Sequence, residues 1–532
     1  MAEAAAPLAS GVAAGAMPGR RRPRRLLVAA ASVGPLLVLM PIAETVIQAA
    51  HIGPAQVVRL MWRPLVGELL VNTLGLVVAA TLSAAVIGTA AAWLVERTDL
   101  PGRRFFAVAA AVPLAIPPFI SSYAWLSVSQ GLEGFVGAWI VVTSSYYPLV
   151  TLPVAASLRG MDPALEESSR SLGQGAGSTF LRVVLPQLRP ALLGGMLLVA
   201  LNVLVEFGAF ALLRFRTFTT ELYAEYRTGF DQPAEAVLAV ALLFFCLLCL
   251  LAEMRIRGRA RYARLGSGVR RPITPLLLGR ARWPAFAGLV GLVAATLGLP
   301  LGMILYWLTR HSAASVSPVA VSPFGLLEAT ISSVWLGLAG AALTVILALP
   351  LGLLAARYQG RLLTLLERAA YLAQGVPGIV IALAFITITI HAVQPLYQTA
   401  ATLIVAYAIL FLPLALVSVR AALMQAERRL EEVGRSLGLA WPQVAWRITL
   451  PLAAPGIGAA AALVFVLIVT ELTTTLLLAP IGTNTLAMQV WADTSTLAFA
   501  AAAPYAAMMA LLSLLATWLL ARRFGATRLL QR

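Results

Sequence analysis

The chain has 532 residues, 60% of them apolar and 11% charged, with a mean hydropathy of +0.88. Soluble domains carry roughly 25% charged residues, so this composition excludes a soluble enzyme, a disordered scaffold and a disulfide-stapled secreted fold. The net charge of +17 rests on 39 basic residues, all arginine, with no lysine anywhere in the chain.

A hydrocarbon core of about 30 Å needs roughly 20 apolar residues per helix. Residues 1–25, rich in Ala, Gly and Pro and then basic, read as a disordered N-terminal tail. Six spans follow, near 26–48, 67–95, 105–127, 135–158, 191–213 and 236–253. The first apolar run is too long for a signal peptide and has a counterpart later in the chain, so it reads as a span. Residues 254–283 hold nine arginines among Gly and Pro and read as a cytoplasmic linker. Six more spans lie near 284–308, 327–355, 369–390, 398–422, 454–478 and 497–521. The expected domains are therefore one six-span half at 26–253 and another at 284–532. With the N-terminus inside, 33 of the 39 arginines fall on inner segments. That bias is the positive-inside rule. It places both termini in the cytoplasm and accounts for the net charge without nucleic acid. The fold class is an all-α polytopic membrane protein.

The two halves are similar in sequence. At an offset of 265, the run Glu166-Glu167-Ser-Ser-Arg170-Ser171-Leu172-Gly173 lies over Glu431-Glu432-Val-Gly-Arg435-Ser436-Leu437-Gly438, and ten of the 25 positions from 166 to 190 are identical. Arg182, Pro186 and Pro190 lie over Arg447, Pro451 and Pro455, and Glu206 over Glu471; nearer the start of each half the offset is 260. Two repeats of like topology are related by an axis along the membrane normal. The repeated segment, between the fourth and fifth spans, reads as two short helices. Asp162-Pro163 suits an N-cap and first turn, Gly173 and Gly438 sit where a left-handed residue stops a helix, and Pro442 opens the next one. Leu-Pro at 185–186 and 450–451 is expected to end it. On local features alone this is a tidy cytoplasmic loop; two matched, charged loops on one face suggest docking of two copies of a partner.

The Glu-Glu-x-x-Arg-Ser-Leu-Gly…Leu-Pro pattern resembles the coupling ("EAA") loop of permease subunits in binding-protein-dependent ABC importers, with Glu-Glu-Ser and Glu-Glu-Val where Glu-Ala-Ala is usual. The resemblance covers nearly the whole chain. It implies a type I importer permease, two fused halves around one pathway, in the bacterial cytoplasmic membrane. It further implies that the loops at 159–190 and 423–453 seat on two copies of an ATP-binding subunit, and that an extracytoplasmic binding protein delivers the solute. A phosphate loop needs a lysine, so ATP-Mg belongs on partner subunits and no cofactor is expected on this chain.

Other constellations are weak. His51, His311 and His391 fall at outer helix ends without ligand-spaced partners and read as interfacial polar residues. Cys246 and Cys249 read as small apolar side chains on a helix. No nucleophile–base pair suggests an enzyme.

Glu206 and Glu471 are the exceptions, deep in the fifth span of each half at matched positions. A charge there costs roughly 2.5–3.5 kcal/mol on insertion scales, so it faces a cavity or a partner. One reading is a carboxylate pair that favours a cation in the pathway, since carboxylate oxygens suit hard metal ions and disfavour sulfate or molybdate. The other is a bond to a neighbouring helix through Asn202 or a tyrosine. Glu206-Phe-Gly208, followed by Arg216-Thr-Phe-Thr219-Thr220, is similar to the ferric-iron branch of the family; that branch has Glu-Leu-Pro in the second half, where Thr473 replaces the proline and Ala479 an arginine. The thiamine branch is also fused and its substrate is also a cation. Tyr146, Tyr147 and Pro148 match Phe411, Leu412 and Pro413; the prolines are expected to kink the fourth spans and the aromatics to pack. Outer segments 214–235 and 479–496 are expected to receive the binding protein. A proton-coupled carrier using the two glutamates is the rival reading; it leaves the paired loops unexplained.

Overall fold

A computed structural model describes residues 24–162, 164–229, 232–259, 275–310 and 322–524. The tail to residue 23, Pro163, the linker stretch 260–274 and His311 lie outside the described residues. Long apolar runs fold as helices because hydrocarbon offers the backbone no hydrogen-bond partner. Spans 1 to 6 are Arg25–His51, Pro64–Arg97, the pair Arg103–Ala115 and Pro118–Val128, then Phe135–Gly160, Gly177–Val205 and Gln232–Ile256. Spans 7 to 12 are Gly279–Leu308, Pro323–Arg357, the pair Arg361–Gly375 and Gly378–Ala392, then Ala400–Gln425, Trp441–Val469 and Phe499–Leu519. Among the described residues there is no strand, only a bridge between Thr98 and Leu276.

Three expectations need correcting. Spans 3 and 9 are not straight; they bend by 95° and 105° just before Pro118 and Gly378. Pro117 and Pro377 hold extended backbone there and start new helices, because proline cannot donate to the preceding turn. Second, Leu-Pro at 185–186 and 450–451 does not end a helix. A π-turn at Phe180–Val184 and Ala445–Thr449 comes immediately before each proline, and its wider ring accommodates a residue without an N–H, so the helix runs on as span 5 or 11. Third, spans 5 and 11 stop at Val205 and Val469, so Glu206 and Glu471 stand at helix ends rather than inside. Of the two fourth-span prolines, Pro413 sits inside a continuous Ala400–Gln425 helix and Pro148 opens a new helical segment after Tyr146.

The repeats exchange their first spans. Span 1 packs on spans 8, 9 and 10, and span 7 on spans 3 and 4. The resulting apolar clusters each combine residues of both halves, for example Leu27 with Leu412 and Ile304 with Tyr123. Close approach depends on small residues: a Cβ added at Gly195 of span 5 would sit 2.8 Å from the Leu149 carbonyl oxygen of span 4. Cys246 is buried in this packing and Cys249 half-buried, and His51 and His391 lie in the last turns of their helices.

Candidate functional site

The second helix of span 3, which starts at its bend, packs on Gly208–Leu212 just after span 5, and the second helix of span 9 packs on Thr473–Leu478 just after span 11. Each glutamate caps the short helix that follows it. Glu206 Oε1 accepts from the Ala209 N–H at 3.0 Å, ahead of Gly208–Leu212, and Glu471 Oε1 accepts from the Thr474 N–H at 2.9 Å, ahead of Thr473–Leu478. A carboxylate at a helix N-terminus is favoured by the exposed N–H groups and by the helix dipole. The carbonyl oxygens freed by the breaks are also satisfied: Thr219 Oγ1 donates to the Glu206 carbonyl at 2.6 Å and Thr475 Oγ1 to that of Glu471.

Both glutamates are half-buried, and they are near enough to interact through their charge. Gly208 lies between the halves: an added Cβ would meet Leu472 Cδ2 at 2.8 Å and Phe119 Cβ at 3.1 Å. Gly378 likewise leaves room for the second acid, since its Cβ would fall 3.3 Å from Glu471 Oε1.

The surroundings differ. Tyr146 Oη donates to Glu206 Oε2 at 2.7 Å; its counterpart, Phe411, has no hydroxyl. Beside Glu471, the buried Tyr407 instead shares a 2.6 Å hydrogen bond with Thr475. Tyr147 is fully buried, and Tyr146 is the tyrosine on a neighbouring helix that the second reading of Glu206 called for. Asn202 is not a partner of Glu206; its Nδ2 donates to Leu198 O on its own helix.

At the far end of spans 5 and 11, the repeated loops share one construction. Glu166 pairs with Arg97 at 3.0 Å, and Glu431 with Arg357 at 2.7 Å. Both glutamates are buried, and both arginines are the last residues of their spans. Arg97 also donates to Leu158 O and Arg357 to Ala426 O. Arg170 and Arg435 lie one turn on, at 3.9 and 3.5 Å. The first glutamate of each motif therefore anchors the loop to the membrane helices, and Glu167 and Glu432 face outward. Asp162 caps the first helix through the Ala164 N–H. Gly173 and Gly438 have φ of +81° and +86°, and the N–H groups of Gln174 and Leu439 return to Ser169 O and Gly434 O, the hydrogen-bond pattern that ends a helix in a left-handed glycine. On the outer side of these helices Leu165 and Leu172, and equally Leu430 and Leu437, are exposed; Leu172 is 82% exposed and Leu437 77%. Spaced by seven, each pair lies on one face. In the sequence, Leu172 and Leu437 stood out only as part of the motif and Leu165 and Leu430 not at all, although their repetition in register was visible.

Among the described residues no group of three or more His, Cys, Asp or Glu could hold a metal ion.

Two repeats of bent and interrupted helices, with polar groups gathered where the chain breaks inside the membrane, define a transport permease. The chain belongs to the family described as binding-protein-dependent transport system inner membrane component, which matches residues 84–256 and 348–523. It is similar to the Fe(3+)-transport system permease protein FbpB 2 of Haemophilus influenzae, 39% identical over 503 residues, covering 94% of this chain and 98% of that protein. It is also similar to the sulfate transport system permease protein CysT of Escherichia coli, 29% identical over 42% of this chain and 88% of that protein, and to the molybdenum transport system permease protein ModB of Escherichia coli, 29% identical over 31% of this chain and 76% of that protein. As a member of this family the chain is an inner-membrane transport permease subunit, not an enzyme, and it functions with a solute-binding protein and ATPase partners.

Proposed function

We propose that this chain is the fused permease of an ATP-driven importer that carries ferric iron from an extracytoplasmic binding protein to the cytoplasm. The observation that carries the reading is the match to the Fe(3+) permease along almost its full length; the sulfate and molybdenum permeases match less than half of this chain. The chemistry agrees, since hard carboxylate oxygens suit a hard cation and repel an oxyanion. In this reading 26–253 and 284–532 are the two permease halves joined by the 254–283 linker, both termini are cytoplasmic, and Glu206 and Glu471 line the pathway. The loops carrying Glu166, Glu167, Arg170, Gly173 and Pro186, and Glu431, Glu432, Arg435, Gly438 and Pro451, seat on two ATP-binding subunits that hold ATP-Mg. The exposed leucines at 165, 172, 430 and 437 supply the apolar contact, and movement of the ATPase pair alternates access to the two sides.

The test reconstitutes the chain with its ATPase and binding-protein partners in proteoliposomes. ATP hydrolysis is compared with the binding protein empty, ferric-loaded and thiamine-loaded. Stimulation by the ferric form is expected. Stimulation by thiamine alone overturns the substrate, and uptake by the isolated chain under a proton gradient overturns the importer reading.

A further inference from the structure

Toward the coupling-loop ends of spans 2 and 5 the two helices border an open apolar cavity of about 560 Å³, lined by Val86, Thr89 and Trp93 on one wall and by Gly177, Leu185 and Leu192 on the other, with Leu276 at its edge. Sites for small molecules occupy roughly 300–1,000 Å³. The cavity opens sideways, toward the bilayer: Val86 is 71% exposed, on the same outward stripe as Val78 and Leu82. Thr89 Oγ1 is buried in its wall with no hydrogen-bond partner.

The second half differs in sequence at the matching place: Trp441 stands in register with Ala176, and the Arg24 guanidinium covers the Trp441 ring at 5.9 Å.

Charge distinguishes the two places as well. Arg189 lies four residues after Leu185 and three before Leu192, on the same helical face as these lining leucines. It is exposed and makes no ion pair among the described residues. Arg182, three residues before Leu185, is exposed too. Arg182 has a counterpart in Arg447, but Arg189 is matched by Ala454. The cavity of the first half thus has an arginine beside it that the second half lacks.

We propose that this cavity holds an acyl chain of one anionic phospholipid, whose headgroup phosphate is bound by Arg189 and Arg182. Basic residues between membrane helices are suited to anionic headgroups, and guanidinium groups match phosphate oxygens in geometry. The second half, which has Ala454 where the second arginine would be, binds no anionic headgroup in this way.

The full-length chain is reconstituted in nanodiscs of phosphatidylethanolamine with phosphatidylglycerol, released into mild detergent and weighed intact. One retained phosphatidylglycerol per chain is expected. Arg189→Ala lowers its retention about fivefold, the equivalent of the ~1 kcal/mol attributed to one basic residue near an anionic surface. Gly177→Phe, where an added Cβ meets nothing within 4 Å, fills the cavity and lowers retention at least as far. Leu192→Trp fills it from the same wall and serves if the first variant does not insert. A wild type that retains no phosphatidylglycerol overturns the proposal. So does undiminished retention by the cavity-filling variants, which would reduce the effect to headgroups adsorbing on arginines.

Discussion

The repeated loops and the paired helix breaks are both two-copy features, but they have diverged to different extents. In the loops, the buried glutamate, the span-ending arginine, the left-handed glycine and the two exposed leucines all occur in both halves. At the breaks, the capping glutamate occurs twice, while its carbonyl is satisfied from different positions, by Thr219 in one half and Thr475 in the other, and the residue facing the acid changes from Tyr146 to Phe411. On the proposed function, two loops that engage two copies of one partner require the same chemistry twice, whereas one pathway passing between two acids does not, so its walls can differ.

The largest expected effect comes from removing what the breaks share. Glu206→Gln with Glu471→Gln abolishes iron uptake in proteoliposomes while the ATPase subunits still co-purify; uptake at the wild-type rate would show that the acids only cap helices. Next is the loop anchor. Arg357→Ala removes the shorter of the two ion pairs of the buried Glu431, leaving Arg435 at 3.5 Å, a change that costs at most about 3–5 kcal/mol, and faster proteolysis within 423–453 reports it. Arg97→Ala is expected to do the same for 159–190, and if only one of the two loops responds, the likeness between them is broken. Third, Leu172→Asp with Leu437→Asp removes apolar contact at the loop surface, at about 2 kcal/mol or more for each residue if they are interface hot spots. Loss of ATPase co-purification from a normally inserted chain is the expected result. The backbone version, Gly173→Asp with Gly438→Asp, forces a side chain into the left-handed region at about 1 kcal/mol or more each; the protein inserts but hydrolysis no longer drives transport. The smallest effect sharpens the asymmetry at the breaks. Tyr146→Phe deletes a hydrogen bond to a charged group, worth about 1.5–3 kcal/mol, and makes the first half resemble the second. Uptake slows without being lost, and Tyr407→Phe, which does not touch a carboxylate, leaves it closer to wild type.

Much of this was legible in the sequence, for identifiable reasons. Left-handed glycines at 173 and 438 announced themselves because few other residues tolerate that conformation. Glu206 and Glu471 stood out because charge inside an apolar run is rare. The breaks beside them were not legible: Val205 and Val469 lead into those acids with no proline or glycine to mark a helix end, and the ends form because the carboxylates turn back to cap the next helix. Pro186 and Pro451 misled in the opposite direction, since the π-turns that absorb them have no signature of their own.

The sequence by itself determined the number of apolar segments, the duplication and the places where polar groups enter the membrane. Each of these is a local sum over side-chain transfer energies or an alignment of the chain with itself. Only the tertiary structure decided which groups meet. Tyr146 reaches Glu206 across 60 residues and Arg357 reaches Glu431 across 74. The first span of each half crosses to the other. In lipid the hydrophobic effect does not select between helix faces, so these pairings follow from close packing and hydrogen bonding, which depend on shape in three dimensions and leave no periodic trace along the chain.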